Sequence, residues 1–239
     1  MSEQLTLYTA RVCPYAQRAE IALAEVGAKY TRFEIDLQNK PVWYAPQVNP
    51  ASKVPAVAYG GPEVPPDQPS RDSVKIAESL VLLEFVADLH PGSPLLPKDP
   101  VQRAQVRFFI DAVSNKVPAN WFAFMARGES PDALISGLET IQSLLPEGKK
   151  FAVGDEFTIA DAAIAPFLTR IATTLGNDIG VYEEGQGKKV YETIWKSPKF
   201  AKLQKYYENL TERSSVRETY NEQLIKDTLG ARFTPKRNA

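Results

Sequence analysis

The chain has 239 residues, a formal net charge of −1 and a hydrophobic fraction of 44%, which leaves room for one large core or two modest ones. Near-neutral charge, with no basic block beyond the short Pro235-Lys236-Arg237 end, argues against a nucleic-acid or anionic-membrane partner. A single cysteine allows no intrachain disulfide, and with a single histidine it makes no ligand set for a soft metal. The start, Met1-Ser2-Glu3-Gln4, lacks the charged and apolar regions of a secretory leader, and no apolar run approaches the ~20 residues of a bilayer span. A cytoplasmic, reducing location is expected.

Residues 5–9 read as a strand that runs into a helix over 14–26, stopped by Gly27. Cys13 sits at this turn. Pro14 suits the first helical turn because its ring pre-sets φ and its missing N–H would have had no partner there. Cys13 is therefore the predicted N-cap, with its sulfur facing the unpaired amides and the positive end of the helix. A thiol so placed ionises more easily than a free one. The helix dipole contributes only roughly 0.3–1 kcal/mol, against about 1.36 kcal/mol per pKa unit, so a large shift requires direct N–H···S bonds or a nearby cation. The alternative is a small, buried, inert thiol. Arg11 and Arg18 lie close in sequence and read as solvated charges without a role.

Residues 30–37 alternate, with Phe33 and Ile35 on one side. Residues 54–58 form a short strand candidate whose Pro55 requires an edge, a bulge or a cis bond. Residues 60–69 are a loop dense in glycine and proline. A helix is predicted from Asp72 to Leu89, with Ile76, Leu80, Leu83, Val86 and Ala87 as its apolar face. A β-α-β then β-β-α order fits a small mixed sheet with helices packed on it. His90 to Pro97 breaks the pattern, and the remainder reads as helical. Asp99-Pro100 opens a long helix, Pro131 starts another, and Thr158-Ile159-Ala160-Asp161 is a capping-box start with a structural meaning only. Further helices are predicted over 188–195, 198–210 and 215–229. Asn209-Leu210-Thr211 matches a glycosylation acceptor but falls within a helix and is given no role.

Six stretches now stand in order along nearly the whole chain: Tyr8 to Arg18 with Cys13-Pro14-Tyr15; Asn39-Lys40-Pro41-Val42-Trp43; Asn49-Pro50 with Lys53-Val54-Pro55; Glu78-Ser79; the run from Pro91 to Pro97; and Thr158-Ile159-Ala160-Asp161-Ala162. With them the chain resembles the omega class of the cytosolic glutathione transferases, fungal members in particular. The resemblance implies an α/β plus all-α architecture. A thioredoxin-like, glutathione-binding domain would span 1–90, a linker 91–98, and an all-helical domain 99–239 that shapes the acceptor-substrate pocket. It also implies glutathione as co-substrate, no metal, a homodimer, and small hydrophobic or aromatic compounds and glutathione conjugates as further partners.

The resemblance assigns residue roles that also make physical sense. Cys13 would be the nucleophile, flanked by Pro14 and Tyr15. Val54 would pair its backbone with the cysteinyl part of glutathione like an added strand, with Pro55 in cis. Glu78 would meet the γ-glutamyl ammonium and Ser79 its carboxylate, helped by helix-end amides. Lys40 would meet the glycyl carboxylate. Taken alone, Val54-Pro55 is a kinked edge strand, Glu78-Ser79 a simple cap and Lys40 a solvated lysine. The acceptor pocket is expected between the domains, walled by Tyr15, Trp121, Phe122, Phe124, Met125 and Arg170. Aromatic residues at such spacing also make ordinary core.

A cysteine at this turn implies a thiol transferase and deglutathionylating reductase that works through a mixed disulfide with glutathione. With no second cysteine, a second glutathione must resolve that intermediate. The same chemistry extends to dehydroascorbate reduction and to removal of glutathione from ketone or aryl conjugates. The competing reading is a ligandin-like binder of hydrophobic aromatics with little turnover. An intracellular chloride-channel-like protein shares the Cys-Pro-aromatic turn, but Glu20, Glu25, Lys29 and Arg32 interrupt the apolar segment it would insert. The loop over 60–69 is longer than the class pattern, and the basic tail after Leu229 has no assigned role.

Overall fold

The computed structural model describes residues 4–237. The chain divides into two compact units, one up to Ser93 and the other from Pro94.

In the first unit, β1 (Leu5–Thr9) leads into α1 (Pro14–Glu25) and then β2 (Thr31–Glu34). β1 and β2 are parallel, with Leu7 opposite Arg32, and a parallel pair requires such a crossover. All of β1 is buried. A short helix, α2 (Tyr44–Gln47), precedes β3 (Ala56–Tyr59) and β4 (Val74–Ala77), and α3 (Ser79–Leu89) closes the unit. β3 runs antiparallel to both β1 and β4, giving the order β2-β1-β3-β4. Helices α1 and α3 pack together. Elsewhere in the unit, Tyr8, Ala16, Ile35, Tyr44, Val54 and Ala56 share one apolar cluster, and Cys13, Phe33 and Trp43 pack against it.

α1 begins at Pro14 and ends where Gly27 takes φ +61°. The Ala28 N–H then reaches back to the Leu23 carbonyl at 3.0 Å, a closure that favours glycine because a Cβ resists the left-handed region. The helix predicted over 72–89 is corrected. Residues 74–77 are strand β4, paired with Tyr59 to Ala56. Helix begins only after Glu78, whose φ of +72° interrupts any regular continuation. The Gly- and Pro-rich loop over 60–69 is pinned to the sheet, because the Tyr8 hydroxyl donates to the Pro66 carbonyl at 2.8 Å.

The second unit is helical throughout, comprising α4 (Pro100–Lys116), α5 (Pro118–Arg127), α6 (Asp132–Leu144), α7 (Ile159–Gly176), α8 (Gln186–Trp195), α9 (Ala201–Glu212), α10 (Ser214–Thr219) and α11 (Glu222–Phe233). α7 is its axis. It is buried from Ile159 to Leu175 and packs against α4, α8, α9 and α11. α4 ends at Lys116, because Pro118 cannot donate to the preceding turn and instead opens α5. Two boundaries differ from the sequence reading. Residues 198–200 form a single 3₁₀ turn before α9. The last predicted helix is two, divided at Tyr220 and Asn221, where Asn221 caps α11 by accepting the Leu224 N–H at 2.9 Å. No helix among the described residues is long and apolar enough to cross a membrane.

Candidate active site around Cys13

The first unit contains a cavity of about 400 Å³ lined by Cys13, Tyr15, Lys40, Ser52, Lys53, Val54, Pro55, Glu78 and Ser79, with Leu37 and Asn49. The β1–α1 turn, the segment leading into β3 and the β4–α3 turn thus converge on one hollow. Pro14 is buried in the first turn of α1 and does not line it.

Cys13 is the N-cap of α1, as expected, but its side chain makes no cap hydrogen bond. The thiol packs on the Tyr8–Tyr44 cluster and lies 3.9 Å from the Val54 carbonyl oxygen, its hydrogen-bond acceptor. The sulfur thus contacts the neighbouring strand entry. The Cys13 N–H donates to the Ala10 carbonyl at 2.9 Å, which fixes the turn itself.

The Val54-Pro55 bond is cis. Val54 stands just before the ladder residues of β3, and its segment is held firmly. The Lys53 carbonyl accepts from the Tyr44 hydroxyl at 2.7 Å and from Asn49 Nδ2 at 2.8 Å. Asn49 Oδ1 in turn accepts the Ala51 N–H at 3.1 Å. Burial pushes the Tyr44 hydroxyl pKa well up, so it stays a donor at neutral pH. Lys40 Nζ donates to the Ser52 carbonyl at 2.6 Å, which anchors the ammonium on the same segment. Across the β4–α3 turn, Glu78 is exposed and sits in the left-handed region, a placement that costs a non-glycine residue of order 1–3 kcal/mol and often marks a functional turn. Ser79 is 7% exposed, and its hydroxyl accepts from Arg18 Nη1 at 3.2 Å.

Sequence reasoning missed three contributors: Tyr44, Asn49 and Arg18. Asn49 carried a usable signal, since an Asn before Pro in a turn has a side chain suited to holding local backbone. Arg18 sits on α1 amid residues that are nearly all buried, so a solvated arginine was inconsistent with its own helix.

The hollow thus offers cations (Lys40, Lys53) from one segment, a carboxylate and a hydroxyl at a helix start, the strand entry at Val54, and a thiol. Glutathione, an elongated peptide with a carboxylate at each end, an ammonium and a central thiol, fits that donor set. Among the described residues, no group of His, Cys, Asp and Glu side chains is placed to hold a metal ion.

Residues 7–94 match the glutathione S-transferase N-terminal domain family, and residues 120–209 match its C-terminal domain family. The chain belongs to the glutathione S-transferase family. A solved structure of glutathione transferase Omega 1C from Trametes versicolor is 59% identical, with a TM-score of 0.94 over 97% of each chain. Omega 2S of the same fungus, in complex with 2,4-dihydroxybenzophenone, is 42% identical with a TM-score of 0.91, over 97% of this chain and 100% of that one. A probable glutathione S-transferase of Nicotiana tabacum is 32% identical over 86% of this chain and 83% of its own length. This is an omega-class glutathione transferase, an enzyme with a thioredoxin-like first unit and a helical second one, and it uses glutathione as co-substrate.

The residues expected to wall an acceptor pocket have a different setting. Trp121 is 1% exposed, and its indole N–H donates to Thr174 Oγ1 at 3.2 Å. Phe124 stacks on Tyr182 with ring centroids 4.3 Å apart, and Met125 is fully buried. Arg170 is buried too, with Nη1 on the Pro166 carbonyl at 3.0 Å and its guanidinium over the Tyr220 ring. These four are core of the helical unit: Trp121, Phe124 and Met125 lie on α5, which Pro118 opens and which packs against α7, and Arg170 lies on α7 itself. Phe122 and Tyr15 retain some exposure. The helical unit holds a cavity elsewhere, about 700 Å³, lined by Thr169, Thr173, Tyr191, Tyr207, Arg217 and Tyr220 among others.

Proposed function

We propose that this omega-class enzyme is a monothiol glutathione-dependent thiol transferase and deglutathionylating reductase with Cys13 as its nucleophile. One observation carries the reading: Cys13 shares a single hollow with Lys40, Val54, Glu78 and Ser79. In the first step the Cys13 thiolate attacks the glutathionyl sulfur of a mixed disulfide. A Cys13–glutathione disulfide forms, and the substrate sulfur leaves as a thiolate that takes a proton from solvent. In the second step the thiolate of a second glutathione, arriving from solution, attacks the glutathionyl sulfur on Cys13. Oxidised glutathione departs and the Cys13 thiolate is restored. In net terms one glutathione thiol and the glutathionyl group released from the substrate become oxidised glutathione, and the substrate is left as its free thiol. Val54 backbone, Glu78, Ser79 and Lys40 hold the peptide so that its sulfur meets Cys13, and orientation of this kind accounts for several kcal/mol in well-placed reactions.

The test is turnover of a small glutathione mixed disulfide by wild type and Cys13→Ser side by side. The expected loss in the serine variant is about a thousandfold or more, since a neutral hydroxyl is a poor nucleophile without an adjacent base. Equal activity in both would refute the role of Cys13.

A second reading, binding of hydrophobic aromatic compounds, is supported by the tyrosine-lined cavity of the helical unit and by the benzophenone complex of a relative. Titration with 2,4-dihydroxybenzophenone should saturate in wild type and weaken at least fivefold in Tyr220→Ala. Unchanged affinity in that variant would reject this cavity as the site. A homodimer in the cytoplasm completes the proposal, in keeping with the family.

A further inference from the structure

Arg18 is a buried charged group near the hollow that the reading above leaves without a task. It is 2% exposed, on α1. Its Nη1 donates to Ser79 Oγ at 3.2 Å, and its guanidinium carbon lies 5.3 Å from the centre of the Tyr15 ring. Both of those partners line the cavity that Cys13 opens into. One guanidinium thus stands behind both the nucleophile's neighbour and the expected γ-glutamyl carboxylate subsite. A guanidinium in such a place is costly to bury and is retained only with strong partners.

We propose that Arg18 is a positioning residue with two linked tasks: its buried charge holds Cys13 as the thiolate, and its fork presents the Ser79 hydroxyl to the γ-glutamyl carboxylate. The inference rests on the reading of Cys13 as nucleophile. Every charged or titratable group near the sulfur bears on the argument. Tyr8 comes from β1, exposed Arg11 from the β1–α1 turn, Tyr15 and Arg18 from α1, Tyr44 from α2, Lys40 and Lys53 from the segment before β3, and Glu78 from the β4–α3 turn. Lys53 is exposed and Lys40 is anchored on the Ser52 carbonyl, so water and salt screen the first and a carbonyl engages the second. Glu78 is exposed on the wall opposite in sign. Arg18 is the cation removed from water, where a charge acts most strongly. Burial lowers its pKa to about 10, while negative charge on Tyr15 and Cys13 works in the opposite sense. It is therefore still a cation at neutral pH. Coupling is mutual: if a Cys13 thiolate favours the charged Arg18, a charged Arg18 favours the thiolate to the same extent. The sign follows. Removing the charge raises the thiol pKa and lowers the thiolate fraction below it.

Alkylation by iodoacetamide as a function of pH reads this without turnover, because Cys13 is the only cysteine in the chain. Wild type is expected to titrate below the ordinary thiol value of about 8.5. Arg18→Met, confirmed folded by its melting transition, is expected to titrate about one unit higher, with alkylation about tenfold slower on the acid limb. Arg18→Lys keeps the charge but not the fork. It should titrate within about 0.3 unit of wild type, a difference of no more than twofold in thiolate, while its KM for glutathione rises several-fold. A wild-type thiol that titrates at about 8.5, or a folded Arg18→Met with the wild-type profile, overturns the inference. If Arg18→Met does not fold, Arg18→Lys decides: a displaced thiol profile with unchanged KM overturns it. Failure of the Cys13 reading shows separately, as turnover retained by Cys13→Ser.

Discussion

The two units each begin a helix with a hydroxyl and a carboxylate, and they use them in opposite ways. At α7 the set is closed on itself. Thr158 and Asp161 form a complete capping box. Asp161, 0% exposed, accepts from the Ala152 and Thr158 N–H groups and from the Tyr206 hydroxyl at 2.7–2.9 Å. At α3 the set is left open. Glu78 makes no cap hydrogen bond, its carboxylate is exposed, and Ser79 is oriented by Arg18 from another helix. The same residue types at the same kind of helix end therefore close on one another in one place and line a cavity in the other. What separates them is whether the polar atoms already have buried partners or face a cavity.

Removing each carboxylate sharpens that contrast. The largest effect is expected at the closed end. Asp161→Ala strands two buried N–H groups and a buried hydroxyl, so a loss of about 3–5 kcal/mol in unfolding free energy is expected in denaturant titration. Its folded fraction should retain wild-type affinity for glutathione. At the open end the order reverses. Glu78→Gln should leave the melting temperature within a degree or two, because exposed substitutions usually shift stability by less than about 0.5 kcal/mol. It should raise the KM for glutathione roughly tenfold, the scale of a lost charge-assisted hydrogen bond. A destabilised Glu78→Gln with normal KM would erase the distinction between the two helix ends.

Much of this site was legible in the sequence because its parts are local. Cys13-Pro14 needs only a strand and a helix to place it, Pro55 announces an unusual backbone, and Thr158 to Asp161 is a self-contained cap. Failures came where a distant partner decides. Val74 to Ala77 satisfies a helical pattern as well as a strand, and only its pairing with β3 selects the strand. The Trp121 to Met125 run has the spacing of either a core face or a pocket wall, and most of it is buried on α5, which packs against α7. Arg18 reads as an ordinary helix charge until α3 is packed beside it and Ser79 becomes its partner. Direction and partner are tertiary properties, and local periodicity does not encode them.

The central claim is that the Cys13 sulfur carries glutathione during turnover. Intact-mass measurement after incubation with oxidised glutathione tests it most directly. One glutathionyl group per chain is expected, located on the peptide containing Cys13 and removed by added reduced glutathione. A chain that stays unmodified under those conditions while still turning over a mixed disulfide would contradict it.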